Sequence, residues 1–344
     1  MKKVIVEKVK IMLAWVLCKL GVDSLWRYFN RNRLLIITYH GVYDKFDRQA
    51  IPLFTHLNAN LFRSHLQFLS KHYQLISLSE LVGCIKEGRP WPEGAALITF
   101  DDGFRNNYDV AFSVLQEFEV PAAIFLTVGF IGTERLLWFD ELFLMLCQSL
   151  PSEDTWGEVA ACLGRLPTSK SVEEQYPIFS EMFKGLPNDE RLERLARLRK
   201  RLPAEESSLR DNFKMLTWEQ VLEMKSSGLV EFGVHTATHR IVSGLCPDEL
   251  EGEVVEPKKK MEGRLNCKVE TFCYPNGIPD VDFLSQHEEF LMENGYQCAF
   301  STKEGINPAS ARVSRLARIP VGSDITGDLP FFRLKTSGVL GGAR

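Results

Sequence analysis

Short, largely apolar runs alternate along this chain with longer segments whose apolar residues recur every three or four positions. Leu34–Tyr39, Ala95–Phe100, Ala122–Val128, Glu231–Val234, Glu270–Tyr274, Gln297–Ser301 and Arg315–Val321 are the short runs. Runs of this kind read as strands, and those apolar throughout read as strands buried on both faces. Residues 61–72 carry Leu61, Phe62, His65, Leu66, Phe68 and Leu69 at helical spacing. Further helices are predicted over Ser79–Ile85, with Ser79 as N-cap, and over Asn107–Phe118, Pro247–Leu265 and Asp282–Asn294. Strands alternating with helices imply a parallel sheet. Polar, Gly-containing segments follow at least four of these strands and must converge, so the pattern predicts a (β/α) barrel rather than an open sheet.

The alternation breaks between Ile131 and Met215. Phe139–Leu150 and Glu190–Arg201 are helical there, the second with Leu192, Leu195, Ala196 and Leu198 on one side and several Arg on the other. The segment 131–215 reads as a helical insertion within a barrel spanning 34–325, and inserts this long are more often functional than not. Residues 1–33 form a basic amphipathic arm: Lys2, Lys3, Lys8, Lys10, Lys19, Arg27, Arg31 and Arg33 face only Glu7 and Asp23. Such an arm either lies on an anionic membrane surface or packs on the barrel as an ordinary amphipathic helix. Its apolar stretch Ile11–Cys18 is far too short to span a bilayer, and no small-x-small cleavage site follows. The expectation is a cytoplasmic protein, not exported, with peripheral contact at the inner face of the membrane. Residues 326–344 are expected to be a C-terminal tail.

Composition changes this picture little. The 344 residues are 45% hydrophobic, and the net charge of −4 gives no sign of a nucleic-acid partner. Eight Cys occur without a CxxC pair, which fits a reducing compartment better than a disulfide framework.

Chemistry enters at two strand ends. Thr99-Phe100-Asp101-Asp102-Gly103 closes one predicted strand, and His235-Thr236-Ala237-Thr238-His239 opens from another. Neighbouring strand residues point to opposite faces, but Gly103 lets the chain turn so that both carboxylates reach the rim. Two imidazoles and one carboxylate form a ligand set found at catalytic metal sites that keep a position open for water. Zn²⁺ suits it best, with Co²⁺ or Ni²⁺ as substitutes. The spare carboxylate can take a proton from water. No phosphate loop or dinucleotide fingerprint is present.

The Asp101-Asp102 and His235–His239 segments, with their spacing, resemble the polysaccharide deacetylases of the NodB-homology type, carbohydrate esterase family 4. Thr38-Tyr39-His40-Gly41-Val42, Ala122–Leu126, Phe272-Cys273-Tyr274-Pro275-Asn276-Gly277 and Arg318-Ile319-Pro320-Val321 support it, in the order seen in bacterial exopolysaccharide deacetylases. The resemblance implies a distorted (β/α) barrel with a helical insertion. It also implies hydrolysis of N-acetyl groups from an amino sugar in a polysaccharide, oligosaccharide or lipid-linked glycan. It assigns Asp102, His235 and His239 to the metal and Asp101 to the general base. Thr236 would lie beside the acetate, the Tyr274 main-chain N–H would hold the oxyanion, and Arg318 would contact substrate. Two features depart from the family pattern. No Arg precedes Tyr274, and no Leu-x-His follows late in the chain to supply the general acid. His40, at the end of the first strand, is the natural replacement, though it also reads as a core histidine. His287, His56, His65 and His72 are expected at the surface. The departures leave a catalytically silent carbohydrate-binding barrel as the alternative. A glycosidase built on Asp101 and Asp102 fits poorly, because glycosidase carboxylates stand about 5–9.5 Å apart across a sugar.

Overall fold

The computed structural model describes residues 2–44, 55–149, 172–200, 202 and 209–340. Its strands are β1 (Leu35–Tyr39), β2 (Gly41–Tyr43), β3 (His56–Asn58), β4 (Gln74–Leu75), β5 (Ala95–Phe100), β6 (Ala122–Leu126), β7 (Val230–Val234), β8 (Thr271–Cys273), β9 (Cys298–Glu304) and β10 (Leu316–Pro320). β5 through β10 pair in order, all parallel, and β1 pairs with both β10 and β5, closing a seven-stranded barrel. β4 adds to the first residues of β5, and β2 and β3 form a separate parallel pair. β1, β5 and β6 are buried at every residue. Side chains fill the barrel and helices cover its outside, which is why these runs show no alternation.

The expected elements recur with shifted edges. Ser77, not Ser79, caps the helix Leu78–Glu87, its hydroxyl accepting from the Glu80 N–H at 3.1 Å. The predicted helices over 107–118 and 247–265 each contain a π-helical stretch, at Asn107–Phe112 and Glu251–Val255. The helix Trp218–Ser226 escaped the periodicity reading. Its signal was a capping box, with the Thr217 hydroxyl and the Gln220 side chain each accepting from the other's backbone N–H.

Two compact units result, one of them Thr133–Met215 with a short stretch outside the described residues. This unit holds the helices Trp138–Ser149, Val172–Lys184 and Asn188–Arg199. Phe143 meets Tyr176 and Phe213 edge-on in its own core, and Arg199 pairs with Glu141. The other unit takes in the barrel and both ends of the chain. There α1 (Lys2–Lys19) and α2 (Val22–Phe29) pack on the helix Leu329–Ser337. Ala14 and Cys18 contact Leu334, and buried Asp23 accepts from Arg27 and from Arg333 at 2.7–3.0 Å. The expected C-terminal tail is thus a packed helix whose Phe332 is fully buried, because its apolar face covers the N-terminal helices and the Ala59–His72 helix. No helix among the described residues is long and apolar enough to cross a membrane.

Candidate active site

β5 and β7 deliver the acidic and histidine segments to the same rim. Asp101 still belongs to the sheet, its N–H donating to the Tyr39 carbonyl at 3.0 Å. Asp102 (φ 73°) and Gly103 (φ 87°) then step into the left-handed region, so both carboxylates turn inward. Glycine tolerates that conformation freely, whereas Asp102 adopts it at a cost. The histidine loop is strained in the same way, with Thr236 at φ 60° and His239 at φ 62°. A β-branched residue there is a true outlier, worth on the order of 1–3 kcal/mol. Hydrogen bonds hold the loop: the Thr236 hydroxyl accepts from the His239 N–H at 2.8 Å, and Glu253 accepts from the Thr238 N–H and hydroxyl. On the other side Gly129 donates to the Ala237 carbonyl at 2.7 Å. A β-carbon there would sit 2.5 Å from that oxygen, so only glycine fits.

The result brings the Asp102 Oδ1 within 3.4 Å of His235 Nε2 and 3.3 Å of His239 Nε2. All three residues are buried. His235 Nδ1 lies 2.8 Å from the Cys273 carbonyl, which can only accept, so Nδ1 carries the proton and Nε2 presents a lone pair. Asp102 Oδ1 has no hydrogen-bond partner among the described residues, and 3.3–3.4 Å exceeds an ordinary N–H···O bond. Lone pairs converging in a buried place fit a divalent cation. Burial favours the neutral Asp102 carboxyl, but His235 and His239 outweigh it and hold the group well below the usual range. It is ionised, as a metal ligand must be.

Asp101, expected as the base, is gripped by the residue expected to touch substrate. Arg318 donates two hydrogen bonds to its carboxylate, at 2.8 and 2.7 Å, and a third to the Ser301 carbonyl at 3.0 Å. Arg318 is 1% exposed and, through these bonds, holds the Asp101 carboxylate in one orientation. Burial raises the Asp101 pKa, yet the Arg318 charge and its hydrogen bonds bring it below the ordinary carboxylate value. The Cys273 thiol lies 3.5 Å from the same carboxylate. Neither Cys273 nor Glu253 stood out in sequence. For Glu253 the one hint is its place in a π-helical turn, a feature often found at functional sites.

His40 ends β1, and its carbonyl accepts from the Asn107 side chain at 2.6 Å. Its Nδ1 is buried and has no hydrogen-bond partner among the described residues. Burial lowers the His40 pKa, with the charges of Asp102 and Asp101 pushing the other way. Four other expectations, on the Tyr274 N–H and on three histidines, meet a different geometry. The Tyr274 N–H donates to the Phe300 carbonyl at 3.1 Å in the β8–β9 ladder and is not available to an oxyanion. The Tyr274 ring stacks on Phe283 and is fully buried. His56, His65 and His287 are buried, not on the surface. His56 stacks on Tyr43, and burial pushes its pKa down to about 3. His65 stacks on Phe332 at 3.8 Å, and His287 accepts from the Leu284 N–H at 3.0 Å, capping its own helix.

Comparison with known proteins bears on the family and the fold. Residues 88–295 match the family model of polysaccharide deacetylase, and the chain belongs to that family. A poly-β-1,6-N-acetyl-D-glucosamine N-deacetylase of Escherichia coli (strain K12) is 32% identical over 92 residues. That match covers 26% of this chain and 13% of the relative, only a small part of its length. In fold, the structure of IcaB from Ammonifex degensii aligns with a TM-score of 0.56 at 18% identity, over 89% of this chain and 98% of that one. The Streptococcus pyogenes deacetylase PplD in complex with acetate aligns with a TM-score of 0.55 at 18% identity, over 84% and 92%.

Proposed function

We propose that this protein is a metal-dependent N-deacetylase, removing acetyl groups from an amino sugar within a glycan. The observation that carries the reading is the meeting of Asp102, His235 and His239 ligand atoms within 4.8 Å, beside a second carboxylate locked by Arg318. The partial match to an N-acetylglucosamine polymer deacetylase favours poly-β-1,6-N-acetylglucosamine or a related glycan as substrate. A divalent ion, most simply Zn²⁺, would supply Lewis-acid polarisation of the acetyl carbonyl.

The chain's own residues do the rest. Asp101, ionised and held in one orientation, takes a proton as water adds to the acetyl carbon. His40 enters the reaction protonated, its charge supported by Asp102 and Asp101 against the effect of burial. His40 passes its proton to the amide nitrogen as the C–N bond breaks, leaving a free amine and acetate.

Acetate release from oligomers of β-1,6-N-acetylglucosamine, with and without chelator, tests the reading. Release that stops on chelation and returns with Zn²⁺ is expected, and His239→Ala should lose bound metal. Undiminished release from metal-free protein would remove the metal from the mechanism. Glycan binding without release from any N-acetylated sugar would establish the silent barrel instead.

A further inference from the structure

The N-terminal helices present an apolar face that no other part of the described residues covers. Val6, Val9, Leu13 and Val16 on α1, with Leu20 just past its end, recur at intervals of three and four residues and form one stripe, 39–73% exposed. The buried side of the helix lies elsewhere, at Ala14 and Cys18 against Leu334. The helix therefore cannot turn its stripe inward without giving up that contact. α2 repeats the arrangement: Leu25, Trp26 and Phe29 are exposed, while Asp23 on the opposite side is buried between Arg27 and Arg333. An apolar surface this extended is rare on a protein that floats free.

Its surroundings carry charge. Lys8, Lys10 and Lys19 on α1 are exposed. At the far end of α2, a cavity of about 560 Å³ is lined by Arg27, Arg31, Arg33, Lys71 and His72, with Glu93 as its acid. Glu93 pairs with Arg31, while Arg33 and Lys71 form no ion pair among the described residues. Tyr28 also lines the cavity, beneath the Arg31 guanidinium, and is 60% exposed.

We infer that α1, α2 and this basic cavity form a docking surface for an anionic phospholipid bilayer. The Val6–Leu20 stripe and Leu25, Trp26 and Phe29 would enter the boundary between headgroups and acyl chains. Arg33 and Lys71 would face headgroup phosphates. The mix of aliphatic, aromatic and Lys/Arg residues is that of helices lying in a membrane interface. Charge decides against a second copy of this chain as occupant. Pairing two such faces would bring two basic rims together, whereas an anionic bilayer offers the opposite sign.

Flotation of the full chain with vesicles tests this, using phosphatidylcholine alone or mixed with phosphatidylglycerol. The chain should float with the mixed vesicles at low salt, weakly with phosphatidylcholine alone, and less as salt rises. Leu20→Ser with Phe29→Ser should abolish flotation. Arg33→Glu with Lys71→Glu should weaken binding to the anionic vesicles at least about tenfold, since each basic residue near such a surface counts for several-fold. All four positions lie at or near the surface, so unchanged thermal unfolding separates lost binding from lost folding. The inference is overturned if the wild-type chain ignores both vesicle types, or if either variant binds like wild type. It also falls if light scattering finds a lipid-free dimer that Leu20→Ser with Phe29→Ser dissociates.

Discussion

Asp101 and Asp23 are two buried carboxylates, each gripped by an arginine from far along the chain. Arg318 lies 217 residues from Asp101, and Arg333 lies 310 from Asp23. In both, burial raises the pKa and arginine more than offsets it, so both end below the ordinary range. A shifted pKa therefore does not tell the two apart. Their neighbours do. Asp101 stands at a barrel rim between a thiol and the histidine loop, on a segment that adopts left-handed backbone at the very next residue. Asp23 lies on the buried side of α2 and, among the described residues, accepts side-chain hydrogen bonds from Arg27 and Arg333 alone. The same ion pair serves as a positioning device in one place and as a fastener in the other.

The sharpest way to break the comparison is to neutralise each carboxylate. Asp101→Asn should keep the fold and bound metal while lowering turnover by roughly 10²–10⁴-fold, the usual contribution of a general base. Asp23→Asn should leave turnover unchanged. Steady-state acetate release and metal content decide it, and equal losses in turnover would erase the distinction.

His40→Ala should come next, with about a 10²-fold loss on amide substrates. It should retain much more activity on an acetate ester whose leaving group departs without a proton. Equal losses on the two substrates would make His40 a structural residue.

The difference between the two carboxylates was only half legible in the sequence. Asp101, Asp102, His235 and His239 were readable because each lies within a residue or two of an apolar strand end or on the loop that follows, and local pattern finds strand ends. The barrel was readable for the same reason, since β5 is apolar from Ala95 through Phe100 except at Thr99. What holds the site was not. Arg318 stands out in a motif, but with a substrate contact as its expected role, and only closure of the barrel brings β10, by way of β1, near β5. The Tyr274 amide shows the converse: its motif marks it as functional, but the β8–β9 ladder claims its N–H. His56 and His65 look like surface residues because each directly follows a polar residue, Thr55 and Ser64, in a loop or a helix. Stacking on Tyr43 and Phe332, from other parts of the chain, buries them.

The grip itself can be tested by changing its geometry and not its charge. Arg318→Lys keeps the cation beside Asp101 but loses the two-pronged bond. Turnover should fall about tenfold with little change in KM, because the base is misaligned while substrate contacts persist. Arg333→Lys should leave turnover at the wild-type level. A large rise in KM for Arg318→Lys would return Arg318 to the substrate-binding role its motif suggested.

The smallest expected effect concerns Asp23 and stability alone. Its carboxylate accepts hydrogen bonds from two arginines, and removing one charged acceptor should cost about 1.5 kcal/mol near neutral pH. The pH dependence carries a definite sign. Burial favours the neutral form of Asp23, the bonds from Arg27 and Arg333 favour the ionised form, and the balance leaves the folded pKa below 3.8. A group with a depressed folded pKa stabilises the protein fully above its unfolded value and loses that contribution as pH falls through the folded one. Urea unfolding of wild type and Asp23→Asn should therefore show a constant gap from neutral pH down to about pH 4. Below that the gap should close as Asp23 itself protonates. Other carboxylates shift both curves together and cancel in the difference. A gap that persists unchanged into acid would mean that Asp23 fastens α2 through shape rather than charge.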